Sequence, residues 1–157
     1  MSKSVNIIEC DYENPKHIDA VKLLLNAYIT DEMGGGEPLG EEMQESLIKK
    51  LSAHKTLIVL LAQVGVRFAG LLTAFENIAT FKVKPMINVH DIIVLKEHRG
   101  KGVGRRLMNA VVDEAKKRGC ARITLEVRED NVTAQNLYKS MEFKEMEPKM
   151  FYWRKEL

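Results

Sequence analysis

Cysteine is scarce in this sequence. Cys10 and Cys120 are its only two, and they form neither a CxxC pair nor part of a metal-ligand cluster. No metal site is expected from them, and free thiols in a reducing, cytoplasmic compartment are the natural reading. Long apolar runs are also lacking. The longest, Leu57 to Ala62, is far too short to span a bilayer. The N-terminal Met-Ser-Lys-Ser-Val-Asn has no apolar core of the kind a signal peptide needs, so the Asn131-Val132-Thr133 glycosylation sequon carries no weight. Charge of one sign is missing as well. Lys and Arg number 24 against 22 Asp and Glu, a net charge of +2, which argues against a nucleic-acid-coating or membrane-surface protein. No repeat, low-complexity tract or linker divides the 157 residues, so one domain with one core is expected over 1–157.

What is present is a clear alternation of patterns. Val5 to Cys10 reads as a strand. Pro15 opens a helix with Ile18, Val21, Leu24 and Leu25 at helical spacing. Asp31 to Gly40, with three consecutive glycines and Pro38, reads as a loop, and Glu41 to Ala53 as a second helix. Thr56 to Val64 and Arg67 to Ile78 form a hairpin about Gly65, followed by a strand over Ile87 to Leu95. Gly102 to Arg118 is a helix, with Gly119 as its C-terminal cap. Ala121 to Val127 alternates, with Ile123, Leu125 and Val127 on one face and Thr124 and Glu126 on the other. Asn131 caps a helix to about Met141, and Phe143 to Arg154 supplies one or two last strands. The order predicts an α/β (α+β) domain around a mixed sheet.

The most informative segment is Val94-Leu95-Lys96-Glu97-His98-Arg99-Gly100-Lys101-Gly102-Val103-Gly104-Arg105-Arg106-Leu107. A buried strand ends, three glycines alternate, and a helix begins. Glycine permits positive φ and lets backbone approach a ligand. Unpaired N–H groups at the helix start and the helix dipole favour an anion such as a pyrophosphate. Arg99, Lys101, Arg105 and Arg106 add positive charge. The spacing is not that of a Walker loop, and position 107 is leucine where a dinucleotide fingerprint has its third glycine. A glycine-rich turn that binds nothing is the bland alternative.

Arg99-x-x-Gly102-x-Gly104 resembles the Arg/Gln-x-x-Gly-x-Gly/Ala signature of the GNAT superfamily of N-acetyltransferases. The resemblance implies a GNAT-type mixed sheet of six to seven strands flanked by about four helices, and acetyl-CoA as cosubstrate. It implies that backbone of Ile92, Ile93 and Val94 pairs with the pantetheine arm, and that Arg99, Gly100, Lys101, Gly102, Val103, Gly104 and Arg105 form the phosphate loop. Leu125-Glu126-Val127-Arg128-Glu129-Asp130-Asn131-x-x-Ala134-x-x-Leu137-Tyr138 resembles the family's next strand and helix, in the form seen in ribosomal-protein N-terminal alanine acetyltransferases. The strong match covers Val89 to Phe143, about a third of the chain. One departure is Glu142, where the family usually has glycine before Phe143, so another cap geometry is expected there.

Acetyl transfer to an amine needs a base for the ammonium proton, an acid for the leaving thiolate and a donor for the thioester oxygen. Tyr138 is the candidate acid, against a plain core tyrosine. Asn131 is a candidate coenzyme contact, against a plain helix cap. Glu126 is the leading base, against a surface carboxylate paired with Thr124 or Arg128. His90 and Asp91 are its rivals, and strand alternation predicts that at most one of them faces the acceptor. The cysteines have no evident activating neighbour. Leu23 to Ile48 has no Lys or Arg but holds Asp31, Glu32, Glu37, Glu41, Glu42 and Glu45. Such a field would draw a cationic small-molecule amine, although acidic residues also suit a helix start. A peptide N-terminus is the other acceptor class, and a non-catalytic acetyl-CoA-binding module the other function class. A monomer or homodimer is expected, with neither nucleic acid nor membrane as partner.

Overall fold

The computed structural model describes residues 4–157. Met1, Ser2 and Lys3, part of the segment read above for a secretion signal, lie outside the described residues. The chain divides into two compact units, residues 1–126 and 127–157.

The first unit contains β1 (Val5–Glu9), α1 (Pro15–Ile29), α2 (Glu41–Ala53), β2 (Leu57–Val64), β3 (Arg67–Ala79), β4 (Lys84–Val94), α3 (Val103–Lys117) and β5 (Ile123–Leu125). Local chemistry sets the helix ends. Asn14 accepts a hydrogen bond from the Lys16 N–H at 3.0 Å, and Pro15 supplies a pre-set φ in the first turn of α1. At the far end of α3, Gly119 turns left-handed (φ +67°), and the Cys120 N–H reaches back to the Ala115 carbonyl at 2.9 Å.

The strands form one sheet in the order β1-β2-β3-β4-β5, antiparallel except for the parallel β4–β5 pair. Its two faces separate by register. Val59, Leu61, Leu71 and Ile93 join Ala20, Val21, Leu24, Leu25 and Ile48 in a core under α1 and α2. Ile58, Leu60, Leu72 and Ala74 alternate to the opposite face, which α3 covers with buried Val103, Leu107, Met108 and Val111. A Cβ on Gly70 would lie 3.1 Å from Leu107 and 3.2 Å from Val103, so glycine lets α3 settle close to the sheet there. Each fully buried aliphatic side chain contributes about 1.5–3 kcal/mol.

The second unit holds α4 (Val132–Ser140), capped as expected by Asn131, whose side chain accepts from the Ala134 N–H at 3.1 Å. Three expectations are corrected. The sheet has five strands among the described residues, not six or seven. Phe143 to Arg154 forms no strand, and Met150, Phe151, Tyr152 and Trp153 are exposed. Glu142 does not find another cap geometry; it takes the left-handed conformation itself, with φ 67°, and so occupies the place of a glycine.

Candidate active site

The site begins with an irregularity in β4. Thr73 pairs with Asp91, yet its neighbour Ala74 pairs with Val89, so His90 is an extra residue with no partner on β3. This bulge breaks the alternation assumed from sequence. Asp91 shares the α1–α2 face with Thr73, and the His90 ring lies on that side too, 5.5 Å from the Phe75 ring at 75°. Both rivals therefore face one way, which corrects the expectation that only one could.

The bulge coincides with a parting of strands. The β4–β5 ladder runs through Ile87–Ile123 and Asn88–Thr124 and stops at Val89–Leu125. Beyond it β4 pairs on one edge only. Leu95 donates to the Ala69 carbonyl at 2.9 Å, and a Cβ on Gly70 would sit 2.9 Å from the Ile93 carbonyl, so alternate residues point toward β3. By that alternation Ile92 and Val94 present their backbone groups to the open edge. Ile93, grouped with them from sequence, instead turns its backbone to β3 and its side chain into the α1–α2 core.

On the α1–α2 face a polar row follows the parting. Asn88 Nδ2 donates to Thr124 Oγ1 at 3.0 Å and lies 3.4 Å from Glu126 Oε1. Glu126 is exposed, and its sequence-based pairing partner Thr124 is taken by Asn88. Asp91 is tied down: the buried Thr73 hydroxyl donates to its Oδ2 at 2.6 Å and accepts its N–H at 3.1 Å. Phe75 is flanked by a second imidazole, His54, at 5.0 Å and 72°. Sequence reasoning missed His54. It closes α2, and the only signal for it is the pairing of nearby Leu57 with Phe75, which requires the register.

The glycine loop follows. Gly100 and Gly102 take φ of +72° and +79°, and no heavy atom lies within 4 Å of the Cβ that either lacks. Their glycine character is thus required by backbone conformation; within the protein a side chain there would meet open space, not crowding. Gly104 does not share that conformation and lies within the first turn of α3. Arg106 N–H bonds the Gly102 carbonyl at 3.1 Å as α3 starts, which leaves the N–H groups of Gly102, Val103 and Gly104 without an intrahelical acceptor. The Val103 side chain is buried. Lys101 Nζ donates to the Glu97 carbonyl at 2.7 Å. Arg105 and Arg106, with Lys101, border an open groove of about 630 Å³ between β1 and the start of α3.

Arg99 does something the sequence did not show. Its Nε donates to the Val94 carbonyl at 2.9 Å, and its guanidinium pairs with Asp31 at 2.6 Å. That hydrogen bond, with a second from the Met33 N–H, holds the Asp31 carboxyl below the usual carboxylate range. Glu45 is paired with Lys22. Two of the six acids of the negative field are therefore neutralised by cations from outside the segment, while Glu32, Glu37, Glu41 and Glu42 remain exposed.

In the second unit, Tyr138 is buried within α4, its ring 6.0 Å from that of Phe143. Among the thiols, burial above all, then Asp11 and Glu9, pushes Cys10 up to about 11, and burial first among its causes also raises Cys120. Both shifts disfavour the thiolate form that a nucleophile needs.

A strand that loses its partner at a bulge, then a left-handed glycine loop opening a helix, spans residues that also match a known family. Residues 21–143 match the model described as the acetyltransferase (GNAT) family. The chain belongs to the GNAT acetyltransferase family. Among its GNAT relatives is the N-alpha-acetyltransferase RimI of Mycobacterium tuberculosis, 37% identical over 93 residues, 58% of this chain and 57% of that protein. The streptothricin acetyltransferase of Streptomyces lavendulae is 36% identical over 80 residues, 51% of this chain and 42% of that protein. The matched stretch spans about half the length of these curated relatives. In fold, the chain superposes on AAC(6')-Iy, solved with a CoA-linked bisubstrate analogue, with a TM-score of 0.77 at 17% identity, covering 98% of this chain and 99% of that one. No helix of the described residues is long and apolar enough to cross a membrane.

Proposed function

We propose that this chain works as one N-acetyltransferase domain that uses acetyl-CoA and passes the acetyl group directly to a primary amine. The observation that carries this is the open edge of β4 leading into a glycine loop whose first residues have left-handed φ and whose helix-start N–H groups lack intrahelical acceptors. The loop is backbone-lined and open, and that arrangement fits a pyrophosphate. The N–H groups from Gly100 to Arg105 would hold the phosphates, with Lys101 and Arg105 adding charge. Ile92 and Val94 would hold the extended arm by backbone pairing, and Asn131 would add a contact. When bound, acetyl-CoA supplies a thioester whose C–S bond breaks as the new C–N bond forms.

Glu126 is the proposed base. It stands exposed in the polar row, beside the Asn88 amide, and would take the proton that the amine loses. Tyr138 is the proposed acid, returning a proton to the sulfur. A second reading gives His90 the base role, because the bulge puts its exposed ring on the same face. Asp91 is the weaker rival, since Thr73 already occupies its carboxylate.

For the acceptor we favour a small cationic amine. The exposed Glu32, Glu37, Glu41 and Glu42 support it, as do relatives named for streptothricin and aminoglycoside acetylation. The RimI match supports a peptide N-terminus as the alternative. The test follows free CoA thiol over a panel of polyamines, aminoglycosides and alanine-starting peptides, with acetyl-CoA binding measured by calorimetry. Release with a polyamine or aminoglycoside is expected. Binding without release from any amine would indicate a non-catalytic module, and no binding at high micromolar concentration would overturn the reading.

A further inference from the structure

We propose that Asp31 is a positioning residue, which through Arg99 couples occupancy of the glycine loop to the order of the loop joining α1 and α2. This rests on the acetyl-CoA reading above. Asp31 stands where that loop leaves α1, and it is heavily engaged. Its Oδ1 accepts the Met33 N–H at 3.2 Å, its Oδ2 accepts Arg99 at 2.6 Å, and its carbonyl accepts the N–H groups of Gly34 and Gly35 at 2.9 Å each. The far end is pinned by Asn26, whose side chain donates to the Leu39 carbonyl at 3.2 Å and accepts the Leu39 N–H at 2.9 Å.

Between these two points the loop has little freedom. A Cβ on Gly34 would fall 1.9 Å from the Tyr28 carbonyl, so the loop backbone lies directly on the end of α1. The Gly36 N–H adds a bond to the Ile29 carbonyl at 2.8 Å. Asp31 therefore cannot shift without carrying Met33 to Gly35 with it. On the other side, the Arg99 fork has one arm on Asp31 and one on the Val94 carbonyl, at the open edge of β4. Arg99 also immediately precedes Gly100. A ligand that stills the glycine loop and the β4 edge stills Arg99, and the planar guanidinium passes that order to Asp31. In this role Arg99 is a strut between two loops, and the phosphate contacts are left to backbone N–H groups. The loop it steadies bears Glu32 and Glu37, so the donor site orders part of the proposed acceptor field.

The test is amide hydrogen exchange with and without CoA, with CoA affinity measured separately by calorimetry. In the wild-type protein, CoA should slow exchange in the glycine loop and, by about threefold or more, in residues 32–39. In Asp31→Asn, CoA should bind within about fivefold of wild type and still protect the glycine loop, while protection of 32–39 is lost. Asp31→Glu, which keeps the charge, should restore part of it. Arg99→Lys, which cannot hold both acceptors with one planar group, should behave like Asp31→Asn. Protection of 32–39 that survives in Asp31→Asn, or that is missing in wild type while the glycine loop is protected, overturns the coupling alone. Failure of CoA to bind the wild-type protein overturns the acetyl-CoA reading and the coupling with it.

Discussion

On the α3 side of the sheet, Ile58, Leu60, Leu72, Ala74, Ile87 and Val89 present an apolar surface from β2 across to β4. On the α1–α2 side, the apolar run of Val59, Leu61, Leu71 and Ile93 gives way to Thr73, Asp91, Asn88, Thr124 and Glu126. The same strands make both faces, so the difference arises from register and from one inserted residue. The bulge at His90 keeps Val89 on the apolar face while gathering His90 and Asp91 on the other. Both faces carry apolar packing, and the α1–α2 face in addition concentrates polar groups where the strands part. The buried part of that polarity is paid for by pairing: no buried side-chain nitrogen or oxygen lacks a partner among the described residues.

Four substitutions break or sharpen this contrast, in descending order of their effect on stability. Leu107→Ala removes a fully buried side chain from the α3 face and should cost about 2–5 kcal/mol in urea unfolding, with turnover per folded molecule little changed. Thr73→Val keeps the shape but strips the Asp91 carboxylate and N–H of their shared partner, and should cost about 1–3 kcal/mol by the same measurement. Glu126→Gln should leave stability within about 0.5 kcal/mol, since its side chain is exposed. Its turnover should fall about a hundredfold or more, and recover in part as pH rises and the amine loses its own proton. An unchanged pH–rate profile would pass the base role to His90, for which His90→Gln is the matching variant.

The smallest effect belongs to Asp31→Asn. Because Arg99 lowers the folded-state pKa of Asp31, its stabilisation is complete above the ordinary aspartate value of about 4. It fades as pH falls through the lowered folded value. Asp31 is partly buried, but the Arg99 side chain is about half exposed and screened by solvent, so wild type and variant should differ by roughly 0.5 kcal/mol or less at neutral pH and converge in acid. Urea midpoints measured from pH 7 down to pH 3 check this.

The elements carried by strong local signals were legible in the sequence. The helix opened by Pro15, the helix over Glu41–Ala53, the caps at Gly119 and Asn131, and the strand–glycine–helix passage each depend on residues close together in the chain. What depended on distant partners was not. The bulge needs the β3 register to reveal that Ala74 pairs with Val89. His54 matters only because the β2–β3 register brings Phe75 of β3 to it, and Arg99 finds Asp31 from 68 residues away. The tail reads as strand by composition, yet a strand exists only where a neighbour accepts its hydrogen bonds, and composition names no neighbour. At Glu142 the missing family glycine does not remove the glycine-like conformation, since a non-glycine residue can hold positive φ at a cost of about 1–2 kcal/mol.

The state of the thiols has a practical consequence for measuring this protein. With Cys10 held at about 11, only about one molecule in a thousand carries its thiolate at pH 8. Cys120 is shifted in the same direction. Disulfide reagents consume thiolates, and an ordinary free thiol with a pKa near 8.5 is substantially ionised at that pH. A colour-forming disulfide reagent added to a running reaction should therefore report released coenzyme with less background from the protein than two ordinary free thiols would give.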